Sequence, residues 1–102
     1  MKIKYRPAAI QDMDAACAYL RDQLHNPSAA DALINRILHS VSLPKDNPYM
    51  GAPLAGTLEE FETDVRFLIV SKQLVFYEVD GEIIEIIRVL DGRTDYLAML
   101  LA

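Results

Sequence analysis

Three apolar runs rich in β-branched and aromatic residues, separated by two pairs of turn residues, fill residues 64–90: DVRFLIV-SK-QLVFYEV-DG-EIIEIIRVL. Runs of that length and composition, punctuated that closely, predict strands joined by tight hairpins. Asp80-Gly81 is the stronger turn, because a type I′ loop needs positive φ at both central positions and Asp and Gly tolerate that best. Ser71-Lys72 is placed by the change of pattern around it. The stretch predicts a three-stranded antiparallel meander over 65–70, 73–79 and 82–90.

Two-residue loops fix the register, and register fixes the faces. A loop at Asp80-Gly81 sets Val79 opposite Glu82, Tyr77 opposite Ile84, Val75 opposite Ile86 and Gln73 opposite Arg88. A loop at Ser71-Lys72 sets Val70 opposite Gln73, Leu68 opposite Val75 and Arg66 opposite Tyr77. The second face then carries Val65, Phe67, Ile69, Leu74, Phe76, Glu78, Ile83, Glu85 and Ile87. Both faces are mainly apolar, so both call for cover.

Upstream, KIKYR (2–6) alternates like a short strand and Pro7 closes it. Ile10, Met13, Cys17, Leu20 and Leu24 then fall on one stripe of a helix over 8–24. Asn26 is a good N-cap and Pro27 a good first residue for a second helix over 27–42, with Leu33, Ile34, Ile37, Leu38 and Val41 on its apolar side. The short connection makes the pair an antiparallel hairpin that can cover one face of the sheet. Pro44, Pro48, Gly51, Pro53 and Gly56 mark 43–63 as a long loop. After Asp91-Gly92, a tail around LAMLLA allows one or two helical turns, too short to cover all of the second face. The order is β-αα-βββ: an α+β domain over 1–102, with an N-terminal helical hairpin packed on one face of a small antiparallel sheet.

No apolar run is long enough to span a bilayer, and the N-terminus lacks a signal-peptide core; with one unpaired cysteine, a cytoplasmic protein is expected. Cys17 lies on the apolar stripe and reads as a buried thiol. The net charge of −5 argues against gripping nucleic acid by its phosphates. Asp12, Asp14 and Asp22, then Glu59, Glu60, Glu62 and Asp64, read as solvated surface, while Arg66, Arg88 and Arg93 lie close in the C-terminal half. Arg66, Arg88 and Tyr77 read as structural: the arginine stems lie on the sheet and pair with a helix acid or a carbonyl, and the phenol is a core group with its hydroxyl satisfied. His25 and His39 have no acid or nucleophile pattern beside them. No Cys/His cluster, phosphate-binding Gly loop or metal-ligand spacing is present, so neither cofactor nor metal is expected.

With this order in hand, the chain resembles the RelE/ParE superfamily of type II toxins. The resemblance rests on the opening strand to Tyr5 and the Pro-started helix, on Asn26-Pro27 followed by Ala29-Ala30, and on Asn47-Pro48…Gly51-x-Pro53-Leu54. It continues through Val65-Arg66, Leu74-Val75-Phe76-Tyr77 and Arg88-Val89-Leu90-Asp91-Gly92-Arg93-Thr94-Asp95-Tyr96. One departure is Arg6, where a small capping residue is common. The RelE branch cleaves messenger RNA in the ribosome with basic residues and a tyrosine; the ParE branch poisons DNA gyrase and has lost most of that basic set. The resemblance puts Val65, Phe67 and Leu74 at the strand positions that carry the basic residues. None of the three can move a proton or neutralise a phosphate.

The resemblance therefore implies a ParE-like toxin that inhibits gyrase by protein binding and is neutralised by a cognate antitoxin. The alternatives are a ribosome-dependent endoribonuclease, with Arg93 and Tyr96 as its catalytic residues, and an inactive homologue kept as a binding module. For the ParE-like reading, Arg93 and Tyr96 are the target contacts. The antitoxin is expected on the bare apolar face, at Phe67, Ile69, Leu74, Phe76, Ile83 and Ile87. Direct specific DNA binding and membrane association are not expected. Assembly is expected as a homodimer or a toxin–antitoxin hetero-oligomer.

Overall fold

The computed structural model describes residues 1–54 and 63–101. Strand β1 (Lys2–Tyr5) leads into helix α1 (Pro7–Ala18), which continues as a π-helical segment, Tyr19–Gln23. Helix α2 (Pro27–Ser42) ends in a 3-10 turn, Leu43–Lys45. Then follow β2 (Ala52–Pro53), β3 (Arg66–Val70), β4 (Gln73–Asp80), β5 (Ile83–Asp91) and α3 (Tyr96–Leu101). The sheet has five strands in the order β1-β5-β4-β3-β2. The expected acidic run Glu59, Glu60 and Glu62 lies outside the described residues.

The β3–β4 register is the expected one, with Val70 opposite Gln73, Leu68 opposite Val75 and Arg66 opposite Tyr77. The β4–β5 register is not. Its two-residue loop is Gly81-Glu82, so Asp80 faces Ile83, Val79 faces Ile84 and Tyr77 faces Ile86. Gly81 takes φ +60 at the first central position and Glu82 does not have positive φ, the pattern of a type II′ turn rather than type I′. A bulge follows: Phe76 faces Arg88, and Ile87 is the extra residue. The expected pairs Val75–Ile86 and Gln73–Arg88 are replaced by Val75–Val89 and Gln73–Asp91. The shift at the turn is two residues, so the faces survive as far as Ile87. Beyond the bulge, Val89 joins the helix side and Leu90 the other.

Two further differences concern the sheet edges. Strand β1 runs parallel to β5, with Ile3 beside Ile84 and Tyr5 beside Ile86, so the sheet is mixed. Parallel neighbours need a long connection, which the helices and the meander supply between β1 and β5, and with β2 on the outer edge of β3 the outer edge of β5 is the one left for β1. Strand β2 emerges from the long loop and pairs with β3 at Arg66 and Phe67.

The hairpin covers one face as expected. Ala9 and Met13 of α1 and Leu33, Ile37 and Val41 of α2 pack on Val75, Tyr77, Ile84, Ile86 and Val89. Asn26 caps α2 by accepting from the Ala29 N–H at 3.1 Å. Arg6 caps nothing: its N–H donates to the Ile86 carbonyl, and its guanidinium pairs with Glu85 at 2.6 Å. The first helix is tied to the sheet edge instead of being side-chain capped.

Polar clamps fix the layers. Asp12 of α1 takes a bidentate pair from Arg88 (2.7 and 2.9 Å) and a third bond from the Val89 N–H at the bulge (3.0 Å). Tyr77 is fully buried; its hydroxyl donates to the Pro48 carbonyl (2.9 Å) and accepts from the Gly51 N–H (2.8 Å). Arg66 donates to the Tyr49 and Gly51 carbonyls and stacks over the Tyr49 ring. The structural readings of Arg66, Arg88 and Tyr77 therefore hold.

Candidate protein-interaction site

A broad groove of about 610 Å³ opens where the tip of the helical hairpin overhangs the end of the sheet. Its apolar lining comes from Leu20 of the π segment, Leu33 of α2 and Val89 of β5, and its lip carries three cations, Arg36, Lys72 and Arg93. Helix α2 supplies Arg36, whose guanidinium donates to the Ser71 hydroxyl at 3.2 Å across the β3–β4 turn. That turn supplies Lys72. The chain leaving β5 supplies Arg93. Two carboxylates line the groove as well, Asp12 paired with Arg88 and Asp91 paired with Arg93.

The hairpin tip is shaped by a departure from α-helix that no sequence spacing announced. The Leu24 N–H reaches the Tyr19 carbonyl and the Asn26 N–H reaches the Leu20 carbonyl, both longer loops than the α-helical one. His25 then turns at φ +50 before the Asn26 cap. The widened turn takes Leu24 off the α1 stripe, where even spacing had placed it. Leu24 and Tyr19 are left as exposed groove-lining side chains. Ile10, at the other end of the same stripe, is exposed as well.

Arg93 is the best-defined cation of the lip. Its side chain is 76% exposed, yet Asp91 holds the residue at three points, two of them on the guanidinium. The Arg93 N–H and Nε donate to Oδ1 at 2.8 and 3.0 Å, and Nη2 donates to Oδ2 at 2.8 Å. These bonds stabilise the charged carboxylate and pull Asp91 down to about 2 from its ordinary 3.8. Arg93 is correspondingly pushed up.

Tyr96 goes elsewhere. It opens α3, and its ring lies 5.6 Å from that of Phe76 on the opposite face of the sheet. Arg93 and Tyr96, read together from the sequence, do not share a site. Asp95, just before α3, accepts from the Ala98 N–H and starts the helix that carries Tyr96 there.

The second sheet face differs from the bare surface that the sequence suggested. Phe76 and Ile87 are buried in a cluster with Leu54 and Val65, and Phe67, Leu74, Tyr96 and Leu100 pack against it. The chain's own loop and α3 cover this half of the face. The half near β1 carries Lys2, Lys4, Glu78 and Glu85 and needs no cover. Ile83 sits there, partly exposed beside Lys2 and outside the apolar cluster. Ile69 alone of the six is left wide open, at 73% exposure. It lies on β3 beyond the last residue paired to β2.

Val65 belongs to that same apolar cluster and Phe67 and Leu74 pack against it, the three positions where the resemblance to the RelE branch would put basic residues. Among the described residues no group of His, Cys, Asp and Glu could hold a metal ion, and no helix is long and apolar enough to cross a membrane.

A family model described as the ParE toxin of the type II toxin–antitoxin system parDE matches residues 3–96. No curated protein matches the chain. Among solved structures, the chromosomal ParDE toxin–antitoxin system from P. aeruginosa is similar, at TM-score 0.72 and 22% identity over 89% of this chain and 95% of that one. A YafQ mutant from E. coli is similar at TM-score 0.56 and 16% identity, over 99% of this chain and 98% of that one. At these identities the two structures bear on the fold, which is theirs: a helical hairpin on a mixed sheet.

Proposed function

The chain belongs to the ParE toxin family of type II toxin–antitoxin modules, which implies a cognate antitoxin partner, and we propose that it inhibits DNA gyrase by protein binding in the cytoplasm. One observation carries this reading over ribonuclease chemistry. Val65, Phe67 and Leu74, at the strand positions of the nuclease pattern, are packed into an apolar cluster with Phe76 and Tyr96. A site that cleaves RNA must polarise the 2′-hydroxyl, neutralise the phosphate and protonate the leaving oxygen, and an apolar cluster does none of these. The groove offers what protein binding needs: an apolar lining to exclude water and an arginine on its lip.

In this reading Arg93, with Lys72 and Arg36, makes the target contact, and Tyr96 contributes by anchoring α3. The antitoxin lies along the outer edge of β3 at Ile69, with Phe67 and Leu74 at its margin. From Ile69 it needs only to round the Ser71-Lys72 turn to reach the groove lip and cover Arg93. Phe76 and Ile87 are reached only if α3 lifts, and Ile83 lies at the far end of the sheet.

Toeprinting of a message translated on purified ribosomes tests the choice of chemistry. No toxin-dependent cut at the A site is expected. A reproducible cut that Arg93→Ala abolishes would establish the nuclease instead. Hydrogen exchange maps the antitoxin: protection is expected at 66–72, and protection confined to 8–42 would move the docking face to the hairpin.

A further inference from the structure

An exposed arginine ordinarily samples many rotamers, and a partner must freeze it on binding. Arg93 is exposed and already held. What holds it is itself fixed. Asp91 is the last residue of β5, paired with Gln73. Its carbonyl accepts from the Thr94 N–H (3.0 Å) and hydroxyl (2.6 Å), and the adjoining Gly92 N–H donates to the Lys72 carbonyl (2.9 Å). The carboxylate approaches the guanidinium side-on, through Nε and Nη2. Arginine has five N–H donors, so this fork leaves the Nη1 edge free for a second acceptor.

We propose that Asp91 is a positioning residue: it holds the guanidinium of Arg93 so that its open edge meets a carboxylate of the protein partner at the groove lip. This rests on the reading of Arg93 as a target contact. It makes a prediction opposite in sign to that of simple charge. Neutralising Asp91 makes the lip more positive, so a field argument predicts tighter binding of an acidic partner. The positioning argument predicts weaker binding, because Arg93 loses its hold.

Two readouts, compared over wild type, Asp91→Asn, Asp91→Glu and Arg93→Ala, decide between these arguments. The first is the heteronuclear NOE of the Arg93 Nε–H group, which reports side-chain order with no partner present. It should be high in wild type and fall to free-side-chain values in Asp91→Asn. Asp91→Glu keeps the charge but moves the carboxylate by one methylene, and thermal melts of each variant confirm folding. The second is potency, read both as inhibition of plasmid supercoiling by purified gyrase and as growth arrest on expression. Asp91→Asn should lose roughly two- to fivefold in potency, the scale of an exposed charge-assisted contact, and should add nothing in an Arg93→Ala background. Across the Asp91 variants potency should follow the NOE. A wild-type NOE typical of a free side chain, unchanged or higher potency in Asp91→Asn, or additive losses would each overturn the proposal. Growth arrest without gyrase inhibition would defeat the assigned target while leaving this comparison to decide the role of Asp91. Absence of both activities would defeat both.

Discussion

At the scale of single residues, most of the polar groups that matter structurally were legible in kind, but their partners were not. An arginine on an apolar strand must lay its stem on the sheet and find an acid or a carbonyl, so Arg66 and Arg88 announced a need. Asp12 looked like one more surface acid; only the bulge at Ile87, which turns Arg88 and the Val89 N–H toward α1, shows why it is needed. Both side chains of that pair are largely shielded, at 23% and 14% exposure. Asp12→Ala should therefore cost about 2–4 kcal/mol in denaturant unfolding, while Asp12→Leu with Arg88→Met should cost less than either change alone. Tyr77→Phe leaves the buried Gly51 N–H and the Pro48 carbonyl without their partner, and should cost about 1–3 kcal/mol. At the surface, the Asp91 carboxylate lies below its unfolded value. Its contribution is complete above the unfolded value and is lost as pH falls through about 2. A carbon-detected titration should place the Asp91 midpoint near 2 in wild type and return it toward the ordinary carboxylate range in Arg93→Ala.

At the scale of elements, the strands, both helices and the face assignment up to Ile87 followed from periodicity, because apolar spacing is what burial imposes on a chain. The parts missed are those that periodicity does not encode. The β4–β5 loop moved one residue, to Gly81-Glu82, since a lone Gly at the first central position satisfies a type II′ turn and Asp80 is free to remain in the strand. The π segment keeps helical composition while adding a residue to the turn. Strand β2 is two residues long and is defined by its neighbour β3, not by its own sequence. The turns can be tested directly. A Cβ on Gly81 would meet nothing within 4 Å, so Gly81→Ala isolates the backbone cost of φ +60, expected at roughly 1–2 kcal/mol. Ser71 already bears that cost at φ +57, and Ser71→Gly should hold stability or raise it, by up to about 1 kcal/mol, despite losing the hydroxyl that Arg36 reaches. Gly51 is a different case: an added Cβ would fall 2.6 Å from the Tyr77 hydroxyl and 3.0 Å from the Phe67 carbonyl, so Gly51→Ala should unseat the loop that Tyr77 and Arg66 clamp.

At the scale of the whole molecule, the sequence announced two apolar sheet faces and a hairpin able to cover one of them. It did not say how the other would be covered. Loop residue Leu54 and the short helix α3 seal its apolar half, the half near β1 is charged, and the exposure left over is concentrated at Ile69. The groove was not legible at all, because its walls come from both helices, the π segment, β5 and the β3–β4 turn, and its cations are dispersed along the chain. Arg93 was picked out, and Tyr96 was grouped with it through the resemblance; the fold sends the two to opposite sides of the sheet. Among the described residues, what remains is a groove with an apolar lining and Arg36, Lys72 and Arg93 on its lip, and an apolar cluster that takes in Val65, Phe67 and Leu74. The central claim is that this surface disables gyrase by binding it. A supercoiling titration with purified gyrase and relaxed plasmid tests that claim most directly. Inhibition is expected at near-stoichiometric toxin, weakened in folded Arg93→Ala and abolished when the cognate antitoxin is added first. Full supercoiling activity in stoichiometric excess of the wild-type toxin would contradict it.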